Sequence, residues 1–372
     1  MEIAIILVHY HTPILLKRCV DSICADLSSS NMEAEIILID NGSKPEDKDL
    51  FDELGVKIIN PGENLGYARG VNLGVKNTDA EIFFFMNPDL DIDTGCLEAL
   101  VSVLKNGAAA VGPRFFLDKD KTILLPPLMD LTWQNELLWR MAVFGHNTAQ
   151  WVRNRWRKNA KYHWEAVSLV ESYCLTGALL GIRRDAWDKV GPFDERYQLY
   201  FEEADWLKRL EKTNLKSYYV PEAHAIHTYN QSAIKEPKAK KWFDESNNLY
   251  RKSHYGKFFN AFLVYLAPRM RNFFLGNSKR TADNPFPVTG LPTLDISFIK
   301  GIRNKPLWIE ISDCDLKLPA AGVPIHDTLK KIWQIPKGVW DSLEPKTYNF
   351  QVVDNIGNEI YTMNFSRRIK GE

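Results

Sequence analysis

Glu81-Ile-Phe-Phe-Phe-Met-Asn-Pro-Asp-Leu-Asp91 reads as an apolar strand that stops abruptly at two carboxylates. Pro88 cannot donate to a strand ladder, so the strand ends there. Ligands of open α/β sheets bind outside the carboxyl ends of the strands. Acids at such an end can hold a hard cation, which in turn holds a phosphate. Asn, Pro and Asp are also ordinary turn formers. On this stretch alone, turn and metal site both stand.

Working outward, the same strand type recurs. Ile3–Val8, Glu35–Ile39 and Val56–Ile59 are short apolar runs, and Ala108–Phe116 is another. Helical spacing separates them at 12–25, 66–76 and 97–104. Continuous apolar strands alternating with helices predict an α/β fold with a parallel sheet covered on both faces. The pattern then changes. Between Trp133 and Trp164 lie five tryptophans, with Arg153, Arg155, Arg157, Lys158 and Lys161 among them. Leu175–Ile182 returns to the sheet pattern, a helix is predicted over 202–212, and Ser217–Val220 is extended. Phe258–Phe274 is apolar and aromatic with interspersed Arg, and Gly276–Pro292 reads as a linker. Beyond it the period becomes two, at Leu294–Phe298, Leu307–Ile311, Tyr348–Val352 and Ile360–Phe365. Asp354–Asn358 looks like a hairpin loop. This predicts a small antiparallel, sandwich-like β domain.

Bulk properties exclude several classes. Lys+Arg and Asp+Glu both number 47 in 372 residues, so no net positive field draws the chain to nucleic acid. Five scattered cysteines contain no CxxC pair, which argues against a zinc site or a disulfide framework and fits a reducing compartment. The first residues enter a strand directly, so no signal peptide is expected. No apolar run reaches the roughly 18 residues of a spanning helix.

Four constellations could carry chemistry. Asp40-Asn-Gly-Ser43 closes the second strand, and its carboxylate could accept from a pyrimidine edge or simply form a turn. Asn64-Leu-Gly-Tyr-Ala-Arg-Gly-Val-Asn-Leu-Gly74 spaces three glycines along one helix face. That suits close helix–sheet packing, or a helix N-terminus near a nucleotide with Arg69 and Asn72 projecting toward it. No GxGxxG follows the first strand, which argues against a dinucleotide dehydrogenase. Tyr200-Phe-Glu-Glu-Ala-Asp205 opens a helix with three acids, favourable through the macrodipole alone. Glu202 and Asp205 share a face at i, i+3, with Glu203 about 100° round. His227 is a metal ligand only if Asp89 lies nearby.

Taken in order, these motifs resemble the family 2 inverting glycosyltransferases, and within them the bacterial rhamnosyltransferase-like group. The resemblance covers residues 1–255. It rests on Val8-His-Tyr10, Asp40–Ser43, Asn64–Asn72, Met86-Asn-Pro-Asp89, Leu175–Ile182, Gly191-Pro-Phe-Asp-Glu195 and Phe201–Asp205. It implies an A-type glycosyltransferase fold (GT-A, Rossmann-like). A nucleotide-sugar half (1–116) and an acceptor half (117–255) would be followed by a helix and linker (256–292) and the β domain (293–372). The nucleotide-sugar contacts implied are Val8, His9, Tyr10, Asp40, Asn64, Gly66, Arg69, Asn72 and Asn87. Asp89 matches the last acid of the family's Asp-x-Asp metal motif, where Asn87 replaces the first. His227 joins it as a ligand to Mg²⁺ or Mn²⁺, with Asp91 a weaker addition. Glu203 takes the position of the family's base, with a side chain one methylene longer, and Glu202 and Asp205 assist it.

The implied reaction is an inverting displacement at an anomeric carbon, with rhamnose from dTDP-rhamnose as the expected donor. The expected acceptor is a saccharide or a polyprenyl-linked saccharide of a bacterial surface polysaccharide. A cytoplasmic protein is expected, peripheral on the inner face of the plasma membrane, since the aromatic–basic segments suit an interface. A homo-oligomer is open. Three alternatives stand: a transferase using another UDP-, GDP- or dTDP-sugar, a sugar nucleotidyltransferase lacking its usual Gly-rich basic loop, and a non-catalytic saccharide-binding protein.

Overall fold

β1 (Ile3–His9) is buried along its whole length. Ile3, Ile5 and Leu7 face one layer of helices, and Ala4, Ile6 and Val8 face the other. The computed structural model describes residues 2–44, 47–142, 145–227, 238–266, 286–287, 291–297, 307–314, 316–325 and 332–367. Most of the expected linker, and the end of the Phe258–Phe274 segment, lie outside the described residues.

After β1 come α1 (Pro13–Ser29), β2 (Glu35–Asp40), α2 (Lys48–Asp52), β3 (Lys57–Ile59) and α3 (Tyr67–Lys76). β4 (Ile82–Met86), β5 (Leu90–Ile92), α4 (Cys96–Lys105) and β6 (Ala110–Phe116) follow. α5 (Trp133–Met141) and α6 (His146–Trp164) precede β7 (Val170–Glu171), β8 (Leu179–Arg183) and α7 (Arg184–Val190). Then come α8 (Glu202–Glu211), β9 (Ser217–His227), α9 (Ala239–His254) and α10 (Lys257–Ala261). The chain divides into two compact units. One comprises Met1–Phe115, Leu128–Trp133 and His163–Val264; the other comprises Phe116–Pro127, Gln134–Tyr162 and Tyr265–Glu372.

In the first unit the strand order is β3-β2-β1-β4-β8-β6-β9-β5, with β7 on β9. β3, β2, β1 and β4 run parallel, as their apolar runs predict. Beyond β4 the sheet becomes mixed. β8 lies antiparallel beside it, pairing Met86 with Leu179, and β5 lies antiparallel to β9. β8 thus takes the place that chain order would give β6. Gly181 makes this possible, because a Cβ there would sit 2.6 Å from the Phe84 ring and 2.8 Å from Val111. One face is sealed by aromatics, with Phe85 and Trp187 each 5.3 Å from Phe193. Such pairs add about 0.5–1.5 kcal/mol beyond their buried area.

The second unit is built on a five-stranded sheet of order β10-β16-β15-β12-β13, and β11 and β14 form a separate pair. These strands are β10 (Phe286–Pro287), β11 (Thr293–Asp295), β12 (Leu307–Ser312), β13 (Ala321–Ile325), β14 (Ile332–Gln334), β15 (Thr347–Val353) and β16 (Glu359–Ser366), with α11 (Lys337–Ser342) before β15. β12, β13, β15 and β16 are antiparallel neighbours. Asp354 shapes the expected hairpin loop by accepting from the Ile356 and Asn358 N–H groups. The periodicity of two places Ile309, Ile311, Phe350 and Val352 in one apolar cluster with Val339 and Trp340.

The opposite face carries Glu310 and Gln351, and α6 covers it. Arg157 is buried there, donating to both Glu310 oxygens (2.8 and 3.0 Å) and to Gln351 (3.2 Å). Arg153 pairs with Glu359, and Lys161 donates to the Asp354 carbonyl at 2.8 Å. α6 thus covers the polar face, while the β11–β14 pair shares the apolar core on the other, with Trp333 6.3 Å from Phe350. The continuous division at 255 and 293 is not the one observed, because these cations tie 134–162 to the C-terminal strands. Three of the five cations expected at a membrane interface point inward instead. No helix among the described residues is long and apolar enough to cross a membrane.

Glu310→Ala is expected to destabilise this unit by about 3–5 kcal/mol, since it strands a buried guanidinium. Arg157→Met with Glu310→Leu should recover most of that loss. Urea unfolding followed by tryptophan fluorescence checks both; a near-neutral Glu310→Ala would show that the pair is not a structural tie.

Candidate active site

β4 ends where the Asn87 N–H donates to Ala178 O at 2.8 Å, and Pro88 turns the chain away from the sheet. The next strand, β5, registers Leu90 opposite His227 at the end of β9. That pairing brings Asp89 Oδ1 to 3.4 Å from His227 Nε2, with both residues buried. Two neighbouring ligands of an octahedral cation at about 2.1 Å stand about 3 Å apart, so the pair fits a shared small divalent ion. No group of three or more His, Cys, Asp or Glu among the described residues is placed to hold a metal. A cation here would have to complete its shell from water or a bound ligand.

The pair opens onto a cavity of about 430 Å³ lying wholly in the first unit. Val8, Tyr10, Asn64, Gly66, Asn87, Asp89, Glu202, Glu203 and His227 all line it. Gly66 has φ +81°, and a Cβ there would meet the Gln198 backbone carbonyl at 2.7 Å. Only glycine lets the 64–66 loop close against the segment leading to α8, where Tyr67 N–H donates to Gln198 O.

That segment is strained. Tyr200 and Phe201 take φ of +67° and +70° in succession. Left-handed backbone costs a non-glycine residue about 1–2 kcal/mol, and such outliers gather at functional sites. Here the strain delivers Glu202 and Glu203 to the cavity wall. The Oε2 atoms of both are buried without a hydrogen-bond partner. Burial pushes both carboxyls above the usual range, and for Glu202 the neighbouring Glu203 charge adds to it. Glu203 is opposed by backbone N–H groups, including those of Gly177 and Ala204, which favour its charged form. Glu202 has only its own backbone N–H to oppose the shift, and burial still holds its carboxyl well above the usual range.

Six expected site residues do not reach the cavity wall. His9 is fully buried; its Nε2 accepts from Thr12 N–H and its Nδ1 donates to Ser43 Oγ. Burial lowers its pKa to about 4, so it is a neutral brace for the loops around Tyr10. Asp40 accepts from the Gly42 and Ser43 N–H groups and from Asn60 Nδ2, which makes it a turn former. Arg69 is exposed and lies 3.9 Å from Glu195. Asn72 is buried and bonds both ways with the Phe193 backbone, locking α3 to the 193–195 loop. Asp91 is held by Arg18 of α1 and does not line the cavity. Asp205 is buried between His254 (2.8 Å) and Arg209 (2.9 Å) and does not line the cavity.

Other residues join unannounced. Asn41 donates to Gly66 O and accepts from Leu65 N–H, and it lines the cavity. Its only signal was adjacency to Asp40. Tyr67 donates to Gly177 O at 3.2 Å, beneath Glu203. Trp242 and Phe243 of α9 also line the cavity, and no sequence pattern marks them.

The chain matches the profile of glycosyl transferase family 2 over residues 4–188. It is 30% identical over 219 residues to an N-acetylglucosaminyl-diphospho-decaprenol L-rhamnosyltransferase of Mycobacterium tuberculosis, covering 54% of this chain and 69% of that protein. It is 23% identical over 255 residues to the O-antigen biosynthesis protein RfbC of Myxococcus xanthus, covering 65% of this chain and 18% of that protein. Among solved structures, a mannosyltransferase of Pyrobaculum calidifontis in complex with GDP-Man and Mn²⁺ aligns with a TM-score of 0.45 and 11% identity, over 74% of this chain and 73% of that one.

Proposed function

The chain belongs to glycosyl transferase family 2, and from that premise we propose that it transfers rhamnose from dTDP-rhamnose to a polyprenyl-diphosphate-linked saccharide, with inversion. The observation that carries this reading is one cavity holding a cation-ready Asp89–His227 pair and the carboxyls of Glu202 and Glu203, each with a buried Oε2 that no group satisfies. The rhamnosyl donor and the lipid-linked acceptor are carried over from the mycobacterial relative's name.

Glu203 accepts the proton of the acceptor hydroxyl. That oxygen bonds to the anomeric carbon as the bond to the diphosphate breaks on the opposite side, and the nucleoside diphosphate leaves with the electron pair. Glu203 suits this role because its raised pKa makes it a stronger base than an exposed carboxylate, while backbone N–H groups keep it ionisable. Burial favours the protonated form of Glu202, and in that form it offers a hydrogen bond to a substrate hydroxyl. A divalent cation bound at Asp89 and His227 would neutralise charge on the departing diphosphate. With Asn87 in place of a carboxylate, the chain would offer such a cation these two side chains, and cation and donor would then bind together. The acceptor's lipid places the work at the inner membrane face; the fully exposed ring of Phe258 beside Lys257 supports this.

A thermal-shift panel of nucleotide sugars with Mn²⁺ or Mg²⁺ tests the reading. Ligand at about a hundredfold over its Kd stabilises by about 2.7 kcal/mol. dTDP-rhamnose should give the largest shift, followed by dTDP release on adding polyprenyl-diphosphate N-acetylglucosamine. A larger shift from another sugar nucleotide replaces the donor. Saccharide binding with no nucleotide released would mark a binding protein instead.

A further inference from the structure

The cavity lining has two chemically distinct parts. Asn41, Asn64, Asn87, Asp89 and His227 make a polar side, from the ends of β2, β4 and β9 and the loop before α3. Leu128, Tyr200, Phe201, Trp242 and Phe243 make an apolar, aromatic one. Leu128 and Phe243 remain 43% and 42% exposed, so they contribute only part of their area to the core. The aromatic side is braced. Phe243 meets the rings of Tyr200 at 5.5 Å and Phe201 at 5.4 Å. One helical turn further along α9, Ser246 Oγ donates to Leu199 O at 2.9 Å, and Tyr250 packs on Phe201 at 5.7 Å. The helix that holds the strained turn thus also presents the aromatic wall, directly beside Glu202 and Glu203.

A diphosphate or ribose gains little from such a wall. A pyranose is amphipathic: its C–H face is apolar, and its hydroxyls ring the edge.

Resting on the reading of Glu203 as base, we propose that Trp242 and Phe243 form the acceptor subsite, stacking on the C–H face of a pyranose and turning one of its hydroxyls toward Glu203. The wall sets acceptor affinity and leaves donor affinity to the polar side.

Saturation-transfer NMR on the full chain tests this, using methyl β-N-acetylglucosaminide and methyl β-glucoside as probes with dTDP and diamagnetic Mg²⁺ present. Ring C–H protons of at least one glycoside should be saturated by the wild type. Trp242→Ala and Phe243→Ala should weaken that glycoside by about tenfold. Trp242→Phe and Phe243→Tyr, which keep an aromatic face, should retain most of the binding and cover the case in which an alanine variant unfolds α9. No saturation in the wild type, or unchanged saturation in folded alanine variants, overturns the proposal. So does a matching loss of dTDP affinity, which would make the wall a base-stacking surface. The base assignment is read separately: if Glu203→Gln binds glycoside yet keeps turnover, that assignment fails and the wall stands.

Discussion

Glu203→Gln lowers the rate of transfer by about a thousandfold, within the range of a lost general base, while the chain folds and is at least as stable as the wild type. The rate loss follows from chemistry, because the amide accepts no proton from the acceptor hydroxyl. The stability follows from burial. Glu203 is raised above its ordinary pKa in the folded state and Glu202 is raised further, each mainly by loss of solvent. A carboxyl raised on folding adds stability that is full below its unfolded pKa and lost as pH climbs through the folded value. At neutral pH the pair therefore costs stability, and an amide at 203 removes one buried charge and its repulsion on Glu202. The wild-type rate should show the opposite face of the same shift. Activity falls on acidification as Glu203 protonates, with an acid limb above the range of an exposed glutamate. A pH profile of kcat/KM for the wild type and a thermal melt of the variant check both halves. Near-wild-type turnover in Glu203→Gln, or an acid limb at ordinary carboxylate pH, would sink the assignment.

The strands that hold this site were legible because β1, β2 and β4 are buried on both faces, which leaves uninterrupted apolar runs. Their neighbour β8 was visible as a strand but not in its place, since direction and order depend on Gly181 fitting against Phe84 and Val111. Among the acids, local pattern could not separate users from bystanders. Asp89 and Asp91 look equivalent until Arg18 of α1 claims the second. Glu203 and Asp205 open the same helix, and His254 of α9 decides which one is structural. The basic helix at 146–164 shows the same limit. Its cations resemble a solvated or interfacial face, yet Arg157 finds Glu310, which lies more than a hundred residues away in the chain. Periodicity reports which face of an element is apolar, and it carries no information about which polar partner arrives from elsewhere. Trp242 and Phe243 were hidden for a related reason, since an aromatic pair on an amphipathic helix looks like core.

Asp89→Ala should remove at least about two powers of ten from transfer, because cation-assisted charge neutralisation is worth several kcal/mol and each 1.36 kcal/mol is tenfold. Its binding signature distinguishes it from the loss at Glu203. Asp89 and His227 offer a cation two ligand atoms, and no third acidic or thiol group among the described residues joins them. Two protein ligands hold Mn²⁺ poorly, so Mn²⁺ alone should leave the melting temperature of the wild type unchanged. dTDP alone should raise it modestly through contacts on the polar side. Mn²⁺ and dTDP together should raise it by more than the two separate effects, because the diphosphate supplies the oxygens that Asn87 does not. In Asp89→Ala that excess should vanish while the shift from dTDP alone persists. Glu203→Gln should keep the excess in full, since its carboxyl serves the acceptor side. His227→Ala should reduce the excess without abolishing it, the carboxylate being the harder and stronger ligand for Mn²⁺ or Mg²⁺. An undiminished excess in Asp89→Ala would show that the cation is held elsewhere. Near-wild-type transfer by that variant would show that Asp89 takes no part in departure of the diphosphate.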